Sequence, residues 1–252
     1  MSNRLCGKVA VVTASTAGIG LSIAKRLGLE GASVVISSRK QNNVDDAVQL
    51  LMRSGMQNVI GTVCHVANAE HRKNLIDTTI NSFGKVDILV SNAAVNPHFG
   101  NILDISEASW DKIFDTNVKA SFLLVRDFVP HINKNGSVIF ISSIAGFVPE
   151  KMIGAYSISK TALLGLTKVL ADTLAPEAIR VNCIAPGFIR TNFSKALTEH
   201  PDIFEGIISR AALHRVGEPD EISGTAAFLA SDDSSYITGE TILVTGGVPS
   251  RL

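Results

Sequence analysis

Short apolar runs rich in β-branched residues alternate along the whole chain with longer amphipathic stretches. The sequence contains seven such runs, at 9–12, 34–36, 59–63, 86–90, 137–143, 179–184 and 241–244. Continuous apolar runs between helical patterns are typical of parallel strands that are covered on both faces. Because crossovers between parallel strands are right-handed, the pattern predicts an α/β, Rossmann-like, doubly wound fold with a seven-stranded parallel sheet and helices on both faces.

The domain organisation follows from the length of 252 residues, which lies at the upper end of what one domain holds. No low-complexity stretch, charge run or Pro/Gly/Ser linker marks a boundary. We therefore predict a single domain over residues 1–252. The one long irregular candidate lies between Ala185 and about Glu218.

The charge balance excludes several classes of partner. Lys+Arg and Asp+Glu both count 23, which gives a net charge of +0, so no basic field exists to hold nucleic acid or an anionic membrane. No apolar run approaches membrane-spanning length, and residues 1–7 lack the apolar core of a secretion signal. Three cysteines without metal-ligand spacing predict buried, reduced thiols and no metal site. A small, uncharged or weakly charged substrate fits this composition best.

A small-residue turn follows the first predicted strand, at 13–20, and a helical stretch follows the turn. Small residues let a diphosphate approach the backbone, and a helix N-terminus supplies N–H groups and a positive dipole. The candidate cofactor-binding residues here are Thr13, Ser15, Thr16, Gly18, Ile19 and Gly20. The alternative is a tight strand-to-helix turn without a ligand.

The second predicted strand ends in Ser38, Arg39 and Lys40. The carboxylate that accepts hydrogen bonds from the unmodified ribose of NAD is missing there. A hydroxyl and two cations stand there instead, and they can bind a 2′-phosphate. The planar guanidinium of Arg39 would donate two hydrogen bonds to the phosphate, and the ammonium of Lys40 would act as a point charge. The sequence therefore favours NADP as cofactor, with a solvated basic turn as the alternative.

Tyr156 and Lys160 lie four residues apart, so they share one face of a predicted helix. A neighbouring ammonium favours the phenolate, and we expect Lys160 to lower the pKa of Tyr156 toward the working range. Ser143 ends the apolar run that precedes this helix, which is where open α/β sheets bind ligands. Taken alone, the pair is an ordinary exposed helical pair. Asn117 interrupts a helical pattern that runs from a cap at Ser106, because asparagine disfavours regular helix.

Taken together, Asn117, Ser143, Tyr156 and Lys160, with Gly18-Ile19-Gly20 near the start, resemble the short-chain dehydrogenase/reductase family over nearly the whole chain. The resemblance implies catalysis by this tetrad and reversible hydride transfer between a nicotinamide and a carbonyl carbon. Ser143 and Tyr156 would bind the substrate oxygen, and Tyr156 would donate the proton. Lys160 would also hold the nicotinamide ribose, and Asn117 would anchor a relay water.

Further cofactor contacts follow from the same resemblance. The family commonly has Asp in place of His65 to hold the adenine amino group. By the resemblance, His65 and Val66 would contact the adenine. The nicotinamide ribose would lie against Asn92, Ala93 and Ala94, and the carboxamide against the backbone of Ile189 and the hydroxyl of Thr191. Ala14 stands where the family usually has glycine.

The stretch from Asn192 to about His214 mixes apolar and polar residues at roughly helical spacing. It resembles a substrate lid that closes to exclude water. Its apolar members are Phe193, Leu197, Ile203, Phe204, Ile207 and Ile208. The alternative is an amphipathic helix that is packed permanently on the core.

The helix after Tyr156 carries apolar residues on more than one face, which implies a partner helix, and the family's usual assembly is a homotetramer. Segments 38–40 and 91–97 and the Ser-Arg-Leu ending at 250–252 most resemble the branch of peroxisomal carbonyl and retinal reductases. This branch implies aromatic ketones, α-dicarbonyls or retinal as substrates and recognition by a peroxisomal import receptor. The alternatives are a cytoplasmic location, an NAD-dependent alcohol or sterol dehydrogenase, and a non-catalytic NADP-binding scaffold.

Overall fold

One parallel sheet organises the protein. The computed structural model describes residues 3–194 and 201–250. All seven predicted apolar runs form strands, which are β1 (Val9–Val12), β2 (Ser33–Ser38), β3 (Val59–Val63), β4 (Val86–Ser91), β5 (Ile132–Ile141), β6 (Arg180–Pro186) and β7 (Thr241–Val244). Their order is β3-β2-β1-β4-β5-β6-β7, and every neighbouring pair is parallel. The predicted doubly wound fold is confirmed.

Helices fill the connections between the strands. They are α1 (Gly18–Leu29), α2 (Gln41–Arg53), α3 (Ala69–Phe83), α4 (Glu107–Phe114), α5 (Ala120–Phe128), α6 (Gly154–Leu174), α7 (Pro201–Arg210) and α8 (Pro219–Ala230). Strand alternation divides the core between the two faces of the sheet. Ala10 and Val12 of β1 pack in one core with residues of α1, α2 and α8, whereas Val11 packs in the other with residues of α3, α5 and α6.

The helical segment after Ser106 is interrupted, as the sequence indicated. Ser106 caps α4 by accepting a hydrogen bond from the backbone N–H of Ser109. A π-helical turn at Asp115–Lys119 then separates α4 from α5, and Asn117 lies within it. Such turns occur frequently at functional sites, because they re-aim side chains without ending the helix.

The segment from 192 to 214 contains α7, but residues 195–200, including Leu197, lie outside the described part of the chain, as do the side chains of Ile203 and Ile207. The lid therefore stays a prediction. Of the Ser-Arg-Leu tail at 250–252, Arg251 and Leu252 also lie outside the described residues.

The three thiols are all free, but they are not all buried. Cys64 and Cys183 are buried, as expected, whereas Cys6 is exposed in the segment before β1. Among the residues that the structure describes, no helix is long and apolar enough to cross a bilayer. The same described residues contain no cluster of His, Cys, Asp and Glu that could hold a metal ion.

Candidate active site

Two cavities lie at the carboxyl ends of the strands, beside the point where strand order reverses between β1 and β4. In open α/β sheets this crevice is the usual ligand site. Their volumes are about 240 and 200 Å³, and Ala14, Ala17 and Ala94 line both. The two cavities therefore form one elongated site across the turn between β1 and α1.

The first cavity contains most of the predicted reaction centre. Residues from five separate stretches of the sequence meet there, namely Gly18, Ile19, Gly20, Asn92, Ser143, Tyr156, Lys160, Thr191 and Phe193. The chain brings them together because each stretch follows a strand or opens a helix at the same edge of the sheet. We call this space the reaction cavity.

The side-chain hydroxyls of Tyr156 and Ser143 lie close to each other in the reaction cavity. The Ser143 oxygen also accepts a hydrogen bond from the N–H of Ala145, at 3.1 Å. Lys160 is buried, and its Nζ lies 5.5 Å from the centroid of the Tyr156 ring and donates to the carbonyl of Ile141 at 2.8 Å. Two hydroxyls thus lie together at the cavity wall, with an ammonium behind them.

The pKa of Tyr156 is raised, whereas the sequence predicted that Lys160 would lower it. Burial raises the pKa of Tyr156 to about 12, and the nearby Ser143 hydroxyl opposes this only in part. Burial lowers the pKa of Lys160 to about 8. The expected lowering of the tyrosine pKa by Lys160 is absent in this arrangement, because the ammonium is directed at the Ile141 carbonyl. Tyr156 is therefore a protonated phenol at neutral pH.

The lowered pKa of Lys160 predicts a pH-dependent stability. Between about 8 and the ordinary value of 10.5 the unfolded chain binds more protons than the folded chain, so the free energy of unfolding rises with pH across this window. Urea unfolding measures this effect. We expect the free energy of unfolding of wild type to rise relative to that of Lys160→Met by up to about 1.4 kcal/mol per pH unit. Parallel stability curves for the two proteins from pH 8 to 10 would contradict the assignment.

Asn117 is fully buried and ties the π-helical turn to the site. Its side-chain oxygen accepts from the N–H of Val95 at 2.8 Å, and its amide donates to the carbonyl of Val95 and to the hydroxyl of Ser159, both at 3.0 Å. Ser159 in turn donates to the carbonyl of Tyr156 at 2.6 Å. A relay water at Asn117 must use a remaining lone pair, and that role stays a prediction.

Asn92 clamps the turn between β1 and α1. Its side-chain amide donates to the carbonyls of Thr13 and Ala14 at 3.1 and 3.0 Å, and its N–H donates to the Thr13 hydroxyl. Thr13 and Ser15, both predicted to bind cofactor, are fully buried and hydrogen-bonded to strand backbone, and they line neither cavity. They shape the turn. Ala14 has φ 50°, a left-handed conformation that favours glycine.

The second cavity lies at the ends of β2 and β3. It is lined by seven residues that the sequence predicted to bind cofactor, which are Thr16, Ser38, Arg39, His65, Val66, Ala93 and Ala94. Lys40 does not line it and instead precedes α2 as an exposed residue. Lys112 of α4 lines it but was not predicted, because a lysine in an amphipathic helix resembles an ordinary solvated charge. We call this space the cation-lined cavity.

The segment after β6 contains Ile189 and Thr191, whose contacts with the carboxamide stay a prediction. The N–H of Gly217 donates to the carbonyl of Phe188, and the N–H of Arg190 donates to the carbonyl of Gly217. The N–H of Ile189, which lies between these two residues, takes no part in this pair of hydrogen bonds. Thr191 lines the reaction cavity beside Gly18. Phe193 packs against Tyr156 with ring centroids 5.6 Å apart, and its side chain is exposed on the other side. An aromatic ring therefore borders the candidate proton donor.

A nicotinamide dinucleotide fits the elongated site. No carboxylate among the described residues lines either cavity, and the first turn of α1 contains no acidic residue, so nothing there repels a diphosphate. A Cβ at Gly20 would lie 2.5 Å from the Asn92 amide and 2.6 Å from the Ala14 carbonyl. Glycine is therefore required for the close-packed turn at which the diphosphate would bind.

Comparisons with known proteins agree on one family. A family model described as enoyl-(acyl carrier protein) reductase matches residues 13–249. A tropinone reductase-like 3 from Erythroxylum coca is 55% identical over 252 residues, covering 100% of this chain and 97% of the relative. A human protein named dehydrogenase/reductase SDR family member 4 is 54% identical over 250 residues, covering 98% and 90%.

Solved structures give the same result. A short-chain dehydrogenase/reductase from Serratia marcescens superposes with a TM-score of 0.90 at 31% identity, covering 97% of this chain and 99% of the other. At this level of similarity the agreement extends along the whole sheet and its helices.

Proposed function

The chain belongs to the short-chain dehydrogenase/reductase family of oxidoreductases, and from this premise we propose that it is an NADPH-dependent carbonyl reductase. The observation that carries the proposal is the reaction cavity, where the hydroxyls of Ser143 and Tyr156 lie together beside Lys160 and the turn of Gly18 and Gly20. The reaction runs in reverse as an alcohol dehydrogenase.

The mechanism divides the work between cofactor and protein. The nicotinamide supplies hydride to the carbonyl carbon when it is bound. Ser143 donates a hydrogen bond to the substrate oxygen and fixes its position, and Tyr156 transfers its phenolic proton to the same oxygen as negative charge develops there. Lys160 would hold the nicotinamide ribose, since its ammonium is directed at the Ile141 carbonyl and does not lower the pKa of Tyr156 in this arrangement. Asn117 positions the start of α6 through Ser159.

The cofactor choice rests on charge in the cation-lined cavity. Arg39 lines this cavity, and its guanidinium forms no ion pair with any residue that the structure describes. We expect Arg39→Gln to weaken NADPH binding by about 10-fold or more while NADH binding changes little, because a charge-assisted hydrogen bond contributes about 1.5–3 kcal/mol. Lys40→Gln is the matched control, since Lys40 lies outside the cavity. Titration calorimetry measures both cofactors, and equal weakening of the two would refute phosphate recognition by Arg39.

The substrate is a carbonyl compound with an apolar or aromatic group. Phe193 beside Tyr156 supports the apolar or aromatic group, and the names of the relatives contain the word reductase. A panel of aromatic ketones, α-dicarbonyls, retinal and the matching alcohols, assayed with NADPH, NADH and their oxidised forms, tests the activity. Turnover only of alcohols or sterols with NAD would support the dehydrogenase alternative. Absence of turnover with every pair would support the non-catalytic scaffold.

The assembly is proposed to be a homotetramer. Ile158 and Val169 of α6 and Phe122 of α5 are exposed large apolar side chains on two helices that pack on the same core, and exposed apolar patches mark interaction sites. Packing such helices across a two-fold axis would bury them. Light scattering at micromolar concentration is expected to give the mass of four chains, and a stable monomer would refute the assembly.

The location is proposed to be the peroxisome, through recognition of Ser-Arg-Leu at 250–252 by an import receptor. A fluorescent protein fused at the N-terminus is expected to give punctate signal that is lost when Leu252 is deleted. Diffuse signal from the complete chain would instead support the cytoplasm.

A further inference from the structure

Two positively charged residues line the cation-lined cavity, and they come from elements that are far apart in the sequence. Arg39 follows β2, whereas Lys112 belongs to α4, and His65 after β3 lies between them in chain order. No Asp or Glu among the described residues lines the cavity. The cavity therefore carries two permanent cations with no compensating carboxylate on its wall.

Neither cation is neutralised elsewhere. In the described part of the chain, Arg39 and Lys112 form no ion pair or side-chain hydrogen bond. Lys119, a few residues beyond Lys112, pairs with Asp115 at 3.1 Å. The positive field of the cavity also acts on its histidine, because burial and then the charges of Arg39 and Lys112 lower the pKa of His65. His65 is thus neutral at pH 7, and the two cations remain available for an anion.

We propose that Lys112 is a specificity-determining residue that binds the 2′-phosphate of NADP from α4, while Arg39 binds the same phosphate from the end of β2. This inference rests on the proposed NADPH dependence. It extends the phosphate site beyond the strand-two turn to a helix almost seventy residues later in the chain.

The separation of the two cavities indicates which phosphate Lys112 would meet. The diphosphate belongs at Gly18, Ile19 and Gly20, and these three residues line the reaction cavity but not the cation-lined cavity. The adenine offers hydrogen-bond donors and acceptors but no negative charge. Of the groups on the cofactor, only the 2′-phosphate brings negative charge to Arg39 and Lys112 together. A lysine serves there as a point charge that needs no fixed planar geometry.

The test compares Lys112→Gln, Lys112→Arg and Lys119→Gln by titration calorimetry with NADPH, NADH, adenosine 2′,5′-bisphosphate and 5′-AMP. Lys112→Gln is expected to weaken NADPH and the bisphosphate by about 5- to 20-fold and to leave NADH and 5′-AMP within about twofold, because only the first two carry the 2′-phosphate. Lys112→Arg is expected to retain most of the affinity. Lys119→Gln, the control, should match wild type with all four compounds. A smaller salt dependence of NADPH binding in Lys112→Gln supports loss of one phosphate contact.

Each contrary result has a distinct meaning. If wild type prefers NADPH and Lys112→Gln binds all four compounds as wild type does, the inference is overturned and the proposed function stands. Equal weakening of NADPH and NADH would also overturn it, because Lys112 would then act on the part that the two cofactors share. If wild type shows no preference for NADPH over NADH, the proposed cofactor fails and the inference fails with it. Thermal unfolding of each variant at the wild-type temperature ensures that binding alone has changed.

Discussion

Replacing Tyr156 with phenylalanine is expected to lower kcat for carbonyl reduction by a factor on the order of 10²–10⁴, the usual contribution of a positioned general acid. The substitution removes one oxygen and keeps the ring. Packing against Phe193 and the buried position at the cavity wall therefore remain. In the proposed mechanism the phenol loses a proton as the substrate oxygen gains one, and its raised pKa keeps that proton in place at neutral pH.

The sequence has only one other tyrosine, Tyr236, which is fully exposed between α8 and β7, so Tyr236→Phe is a matched control with no expected effect on turnover. Binding of NADPH by calorimetry should be similar in wild type and both variants. Steady-state turnover must be accompanied by a deuteride isotope effect, which reports whether hydride transfer limits the rate. Tyr156→Phe with wild-type turnover and a full isotope effect in both proteins would remove Tyr156 from the mechanism.

Replacing Gly20 with alanine is expected to disrupt both the cofactor site and the fold around it. The new Cβ would lie 2.5 Å from the Asn92 amide nitrogen, 2.6 Å from the Ala14 carbonyl oxygen and 2.9 Å from the Ser15 Cα. Two of these atoms are backbone, and the third belongs to a side chain whose amide holds the turn through Thr13 and Ala14. Relief of the overlap must therefore move the turn itself. We expect a loss of about 2–3 kcal/mol in the free energy of unfolding and loss of measurable NADPH binding.

Gly224 in α8 provides the comparison, because a Cβ there meets no atom within 4 Å. Gly224→Ala is expected to leave cofactor affinity unchanged and to raise the free energy of unfolding by about 0.5–1 kcal/mol, the helix preference for alanine. Urea unfolding and calorimetry measure the two quantities. If Gly20→Ala is as stable as wild type and binds NADPH normally, the turn has more freedom than its contacts imply.

The sequence pattern around Asn117 predicts its local backbone but not the partners of its side chain. The pattern placed an asparagine inside a helical stretch and predicted an irregularity, and the π-helical turn at Asp115–Lys119 confirms that prediction. The partners of its side chain, Val95 and Ser159, lie 22 and 42 residues away. No local pattern specifies contacts at such separations. The contacts of Asn117 therefore form only when α6 and the segment after β4 are packed around it.

The sequence by itself determined the seven strands, their parallel arrangement and the edge of the sheet where the tetrad lies, because apolar periodicity and strand-end position are local properties. Tertiary structure decided three further points. It placed Lys112 rather than Lys40 in the cavity that Arg39 lines, it directed Lys160 at the Ile141 carbonyl, and it raised the pKa of Tyr156. Each depends on the distance between groups from different elements or on how completely a group is removed from water. Neither quantity is a property of a short stretch of sequence, because packing of the whole chain sets both.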